Sequence, residues 1–294
     1  MSLALTRPDD VAAAAQLACI LEANAPKPGN VSPGMAFRDT RYEDFVASAA
    51  AIGPAIAAAG IAPLGATIRS ALEATRRWTT SNTNLGIVLL LAPLARAALH
   101  GAGNDLRARA AAVLGATTVD DARDTYAAIR LVHPGGLGAT DQEDVSATPT
   151  VTLHQAMVLA AGRDGVAREY STGFAGTFER GAPTLRAALS AGLDWTDAIL
   201  ETYLIILGSA PDTLIARKLG PEAAGAISDR AREAQAGGGV RTAAGRQAIA
   251  ALDAELRDPG NSRNPGTSAD LTAAAIFAVL LEDGWRGPEG RRRG

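Results

Sequence analysis

Residues 84–100 read NLGIVLLLAPLARAALH, apolar at nearly every position from Leu85 to Leu99. A helix that hydrophobic all round is buried on most sides, so the stretch predicts the central helix of a packed core. Pro93 and Arg96 interrupt the apolar run, which falls short of the roughly 20 residues that a membrane span needs. Asn82 or Thr83 can cap this helix at its start.

Outward from it, apolar residues recur at helical spacing in almost every segment, and β-branched alternation bounded by turns is missing. The fold class expected is all-α: one single-domain multi-helix bundle spanning 1–294, with Gly-rich site loops and a disordered tail over 286–294. Helices are expected at 8–23, 41–59, 64–78, 84–100, 104–114, 119–131, 150–161, 166–178, 194–207, 212–236, 242–256 and 269–283. Thr40 with Glu43, and Thr267 with Asp270, match the capping-box pattern. Gly220 and Pro221 are expected to bend the 212–236 helix. Two segments read as irregular: residues 133–149, the longest loop and a candidate lid or binding loop, and the glycines 237–239.

The 294 residues carry a net charge of −3 and are 47% hydrophobic, enough for a sizeable core and without general attraction to nucleic acid. Arg291, Arg292 and Arg293 form a short basic run at the chain end, expected to be solvated. Cys19, the one cysteine, cannot form an intramolecular disulfide and sits among apolar helix positions, so a packed, inert thiol is expected. The opening residues lack the pattern of a secretory leader. These features fit a cytoplasmic protein that binds neither nucleic acid nor membrane, and the broad apolar helices leave room for a homodimer.

Four polar islands interrupt the helices: PKPGNVS from Pro26, SNTNLG from Ser81, GSAPDT from Gly208 and SRNPGTSADL from Ser262. Uncharged polar residues clustered around glycine let backbone approach a ligand, although each island also reads as a plain turn or cap. Lys27 stands between two prolines ahead of Gly29 and Asn30, a placement suited to a phosphate oxygen. The helix after Asn82, Thr83 and Asn84 presents unpaired amides to an anion, and Arg69, Arg76 and Arg77 lie just upstream. Asp39, Asp212 and Asp270 are the carboxylates in or beside these islands, where a Mg²⁺ ligand or general base would serve, and Asn264 and Ser268 flank the last of them. There is no GxxxxGK[ST] loop, no GxGxxG, no HExxH and no CxxC, and His100, His133 and His154 are far apart in sequence.

In order along the chain, EANAPKPGNVSPG, AFRDTRYEDF, SNTNLG, PDT and the PGTSADL segment at 265–271 resemble the triphosphoribosyl-dephospho-CoA synthase family over most of the length. The resemblance implies an all-α enzyme that joins ATP to 3′-dephospho-CoA and releases adenine, a glycosyl transfer used in making a prosthetic group. It implies Mg²⁺ as cofactor and ATP as substrate, with Asp39, Asp212 and Asp270 supplying catalysis and Asp212 and Asp270 the metal ligands. Lys27, Gly29, Asn30, Arg69, Arg76, Arg77, Asn82, Thr83, Asn84, Asn264 and Ser268 would hold substrate or its phosphates. The chain departs from the family pattern where NTNLG replaces NTHKG, where Arg217 and Lys218 replace a His-Arg pair in DTLIARKLG, and where Phe37 replaces a histidine, changes that suggest an altered acceptor. A metal-dependent N-glycosidic or phosphate hydrolase, and a non-catalytic helical scaffold, are the competing readings.

Overall fold

The computed structural model describes residues 5–101, 105–135, 138 and 140–285. Its helices are α1 (Pro8–Asn24), α2 (Tyr42–Ala51), α3 (Gly53–Ala57), α4 (Leu64–Arg76), α5 (Leu85–Leu99), α6 (Leu106–Gly115), α7 (Val119–Val132) and α8 (Leu153–Ala160). They continue as α9 (Gly165–Thr172), α10 (Ala182–Ser190), α11 (Trp195–Ser209), α12 (Thr213–Leu219), α13 (Pro221–Ala236), α14 (Ala243–Leu256) and α15 (Gly266–Asp283). Among the described residues no strand forms, so the fold is all-α; a lone backbone bridge joins Ser32 to Met35.

The stretch 84–100 is the central helix that its composition predicts. All but three of the α5 residues are buried, and α1, α4, α6 and α15 pack around it. Pro93 lies inside α5, and its ring nitrogen cannot bond the Leu89 carbonyl one turn back. The buried Tyr170 hydroxyl on α9 donates to that carbonyl instead, at 2.7 Å. The same remedy recurs at Pro54, where the Gln16 side-chain amide donates to the Ala50 carbonyl at 2.8 Å. That break divides the single helix expected over 41–59 into α2, α3 and a 3-10 turn, Ala58–Gly60.

Other boundaries moved for local reasons. The helix expected from position 41 begins at Tyr42, and Asp44, not Glu43, closes its first turn by accepting from the Arg41 amide at 2.8 Å. The helix expected over 166–178 ends at Gly173, which adopts φ 59°; a π-turn, Gly176–Gly181, and the unanticipated α10 follow. Buried Glu169 anchors that turn, accepting from the Gly176 and Thr177 amides, each at 2.8 Å, and from the Thr177 hydroxyl at 2.6 Å. The 212–236 helix breaks at Gly220 as its sequence suggests. Helix α15 starts at Gly266, so Thr267 and Asp270 lie inside it and do not form a cap. Residues 286–294, with the three terminal arginines, lie outside the described residues.

Two apolar clusters result. The larger surrounds α5 and α15; the smaller gathers Tyr203, Leu207, Ile215, Ile227 and Leu252 from α11 to α14. Helix α11 spans both, giving Ile199 to the first and Tyr203 to the second. Cys19 is buried in the first cluster, and burial raises its thiol far above the ordinary range. No single described helix is long and apolar enough to cross a membrane; α11 and α12 together would be, but they bend by 52° at their junction.

Candidate active site

One cavity of about 690 Å³ opens between the starts of α5, α9, α12 and α15, the end of α7, one side of α8, and the residues around 39, 133–135, 142–145 and 261. A helix start carries positive partial charge and free amides that favour an anion, and here that start is α5, since Asp164 and Asp212 already accept first-turn amides of α9, α12 and α15. At α5, Asn82 Oδ1 takes the Leu85 amide at 3.2 Å. The Gly86 and Ile87 amides have no acceptor among the described residues. Thr83 is fixed by the Ser48 hydroxyl at 2.5 Å, and Asn84 donates to Thr75 Oγ1 at 3.0 Å. SNTNLG is thus cap and cavity wall at once.

Asp270 lies against this open turn. A Cβ built on Gly86 would stand 2.0 Å from Asp270 Oδ2, so position 86 must be glycine for the carboxylate to occupy its place. No described residue donates a hydrogen bond to Asp270. Burial, then the charges of Glu22, Asp212 and Asp164, hold its acid well above the usual carboxylate range; Arg217 opposes them. Glu22, near the end of α1, also faces the cavity and is only 3% exposed.

The other predicted acids differ. Asp39 is an exposed carboxylate on the cavity wall, with one contact from the Thr40 hydroxyl at 3.3 Å on Oδ1. Asp212 lies behind the wall, both oxygens occupied: Oδ1 accepts the Leu214 and Ile215 amides, and Oδ2 accepts the Ser268 amide at 2.7 Å and its hydroxyl at 2.8 Å. It therefore clasps the start of α12 to the start of α15. Burial raises its acid, and those four donors pull the other way.

Lys27 and Gly29 do not line the cavity. Lys27 is fully buried, its ammonium 2.9 Å from Glu22 Oε1 and 3.2 Å from the Ala25 carbonyl. Gly29, at φ 75°, donates to Asp253 at 2.8 Å, and a Cβ there would come within 2.9 Å of Leu256 and Pro265. The PKPG turn is therefore a packed joint, and through Lys27 it fixes Glu22. Asn30 does reach the cavity, donating to the Tyr203 hydroxyl at 3.0 Å.

Of the three upstream arginines, Arg76 faces the cavity. Arg69 pairs with Glu73 at 2.8 Å and Asp124 at 3.2 Å, and Arg77 is exposed away from the wall. Arg163, Arg217 and Lys218 are the other basic residues on the wall. Arg217 pairs with Asp164 at 2.5 Å while its buried Nε lacks a partner; Lys218 donates to the Asn261 carbonyl at 3.1 Å, and burial lowers its ammonium's pKa. Asn264 lines the cavity with Oδ1 unpaired, whereas Ser268 is buried against Asp212.

Glu22, Arg163 and Asp164 are charged cavity residues that sequence reasoning missed. Glu22 had a signal: an acid in the last turn of a helix opposes the helix dipole and calls for a partner, here Lys27 five residues on. Among the described residues no three His, Cys, Asp or Glu side chains come together in an arrangement able to hold a metal.

Fold and site define an all-helical protein with a large cavity lined by Arg76, Arg163, Arg217 and Lys218, by six carboxylates and by aliphatic side chains, with half-buried Asp270 beside an open helix start. The chain belongs to the ATP:dephospho-CoA triphosphoribosyl transferase family, whose model matches residues 8–289. A relative from Azotobacter vinelandii, named "Probable 2-(5''-triphosphoribosyl)-3'-dephosphocoenzyme-A synthase", is 34% identical over 118 residues, 40% of either chain. The 2-(5''-triphosphoribosyl)-3'-dephosphocoenzyme-A synthase of Pectobacterium atrosepticum is 30% identical over 122 residues, 42% of this chain and 38% of its own. The match thus spans about 40% of the length of these curated relatives. A solved structure titled "Crystal structure of putative triphosphoribosyl-dephospho-coA synthase from Archaeoglobus fulgidus" superposes with a TM-score of 0.64 at 31% identity, covering 82% of this chain and 100% of its own.

Proposed function

We propose that the protein transfers the triphosphoribosyl group of ATP to the 2′-hydroxyl of 3′-dephospho-CoA, releasing adenine. The observation that carries this reading is the placement of Asp270, a half-buried carboxylate with no donor, on the open first turn of α5 in a cavity that also presents Arg76, Arg163, Arg217 and Lys218. Those cations and the Gly86 and Ile87 amides receive the triphosphate. Asp270 accepts the proton of the attacking hydroxyl as the bond from its oxygen to C1 of the ATP ribose forms. The C1–N9 bond breaks, its electron pair leaves with adenine, and adenine takes up a proton. Glu22, held by Lys27, faces the positive charge that develops at the ribose carbon.

Mg²⁺ fits this site as a companion of the triphosphate. Mg²⁺ is commonly held by one or two carboxylates together with substrate phosphates. Asp39 leaves Oδ2 without a donor on the cavity wall and would hold the ion, whereas Asp212 has no oxygen to spare. Bound there, the ion would neutralise phosphate charge. Leu85 occupies the place of the lysine in the family's NTHKG pattern and is buried in the first turn of α5; Lys218 and Arg217, also on the cavity wall, supply positive charge instead. His133, Pro134, Thr140 and Gln142 line one side and would limit entry of water, which would otherwise intercept the ribosyl centre.

The enzyme so read works in the cytoplasm on soluble nucleotides, with no role for nucleic acid or membrane; a homodimer is open to light scattering. Incubation with ATP, Mg²⁺ and 3′-dephospho-CoA, followed by mass spectrometry, is the test. Equal amounts of adenine and triphosphoribosyl adduct support transfer. Adenine with free ribose triphosphate and no adduct supports the hydrolase, and unchanged ATP supports the scaffold.

A further inference from the structure

The cavity is chemically divided. Helix α8 sets Leu153, Ala156, Met157 and Ala160, an i, i+3, i+4, i+7 stripe packed on the core, along the cavity wall, where Leu153 is fully buried and Ala156 and Met157 expose 8% and 9%. Ile129 and Val132 of α7 and Val145 extend the same wall, and Leu159, 46% exposed, carries it to the rim. Hydrogen bonds from the Tyr126 hydroxyl to the Glu143 carbonyl at 2.8 Å and from Arg130 to the Val145 carbonyl at 2.5 Å hold the 143–145 segment against α7. No charged side chain within α7 or α8 lines this side; Glu143 and Asp144, before Val145, and Arg163, after α8, bound it.

An aliphatic wall of this extent has no counterpart in ATP, whose triphosphate and ribose are polar and whose base is a single flat ring system. The acceptor is different: 3′-dephospho-CoA is ADP extended by a pantetheine arm, with a gem-dimethyl group and an aliphatic chain ending in a thiol. We infer that the α7–α8 wall is the acceptor-specificity site, seating the pantetheine arm while the acceptor's ribose reaches Asp270. This rests on the transferase reading above. Selection then comes from apolar contact along the arm, far from the reacting atoms.

The test compares kcat/KM for 3′-dephospho-CoA with that for ADP, which has the same 2′-hydroxyl and no arm. The wild-type ratio should be at least about tenfold in favour of 3′-dephospho-CoA, the scale of discrimination by small apolar groups in a pocket. Leu159→Asp, at a half-exposed position that tolerates a polar side chain, and Met157→Glu should each bring the ratio toward one, and Met157→Leu should restore it. A wild-type ratio near one, or variants that lower both values equally and leave the ratio intact, would overturn the inference. Transfer to neither acceptor would instead overturn the transferase reading itself.

Discussion

At position 270 the chain keeps a carboxylate where folding would prefer an amide. Asp270 has no donor, and Glu22, Asp212 and Asp164 add repulsion that Arg217 only partly offsets. Its acid is raised above the unfolded value, so the folded state holds the proton more tightly. The resulting stability is fully present below about pH 4, the range where a free aspartate titrates, and is lost as pH rises through the raised value. Asp270→Asn should therefore melt close to wild type below about pH 4 and at higher temperature above it, the gap widening with pH in thermal scans. A variant that melts lower than wild type at neutral pH would mean that the charge is compensated in the fold. The sequence made this residue legible, since PGTSADL singles it out, but not its environment. Lys27 looked like an exposed phosphate ligand because PKPG reads as a turn; only the packing of Gly29 against Leu256 and Pro265 shows the turn to be interior. Glu22 went unnoticed because a glutamate in a helix is usually solvated.

Helices with internal prolines give the same lesson at the next scale. Pro93 leaves the Leu89 carbonyl without its helical partner in the middle of the core, and Tyr170 supplies the missing donor from α9. Tyr170→Phe should cost about 1–3 kcal/mol by stranding that carbonyl, read as a lower urea midpoint with unchanged slope. A neutral effect would show that the carbonyl is satisfied in some other way. Helix existence was legible almost throughout, because periodicity and the caps at Thr118, Asp194 and Thr242 are local signals. The divided helix at Pro54 and the π-turn before α10 were not. Both depend on partners distant in sequence or turn geometry, Gln16 for the first and buried Glu169 for the second.

For the molecule as a whole, the islands converge because helix starts converge. The Gly165 amide donates to Thr213 Oγ1 at 3.0 Å, Thr213 meets Thr267 at 3.0 Å, and Asp212 holds Ser268, so α9, α12 and α15 begin at one knot opposite the start of α5. Residues that looked like ligands in sequence, Asp212 and Ser268, build this knot, while Asp39, Asn84 and Asp270 face the space it encloses. No local pattern separates those two sets. The most direct measurement of the central claim, that this cavity joins two nucleotides through Asp270, is the rate of adduct formation by wild type and Asp270→Asn across acid to neutral pH. The wild-type rate should rise with pH as Asp270 ionises, and the variant should be slower by about 10²–10⁴-fold without that rise. A variant that forms adduct at the wild-type rate, with the same pH profile, would contradict it.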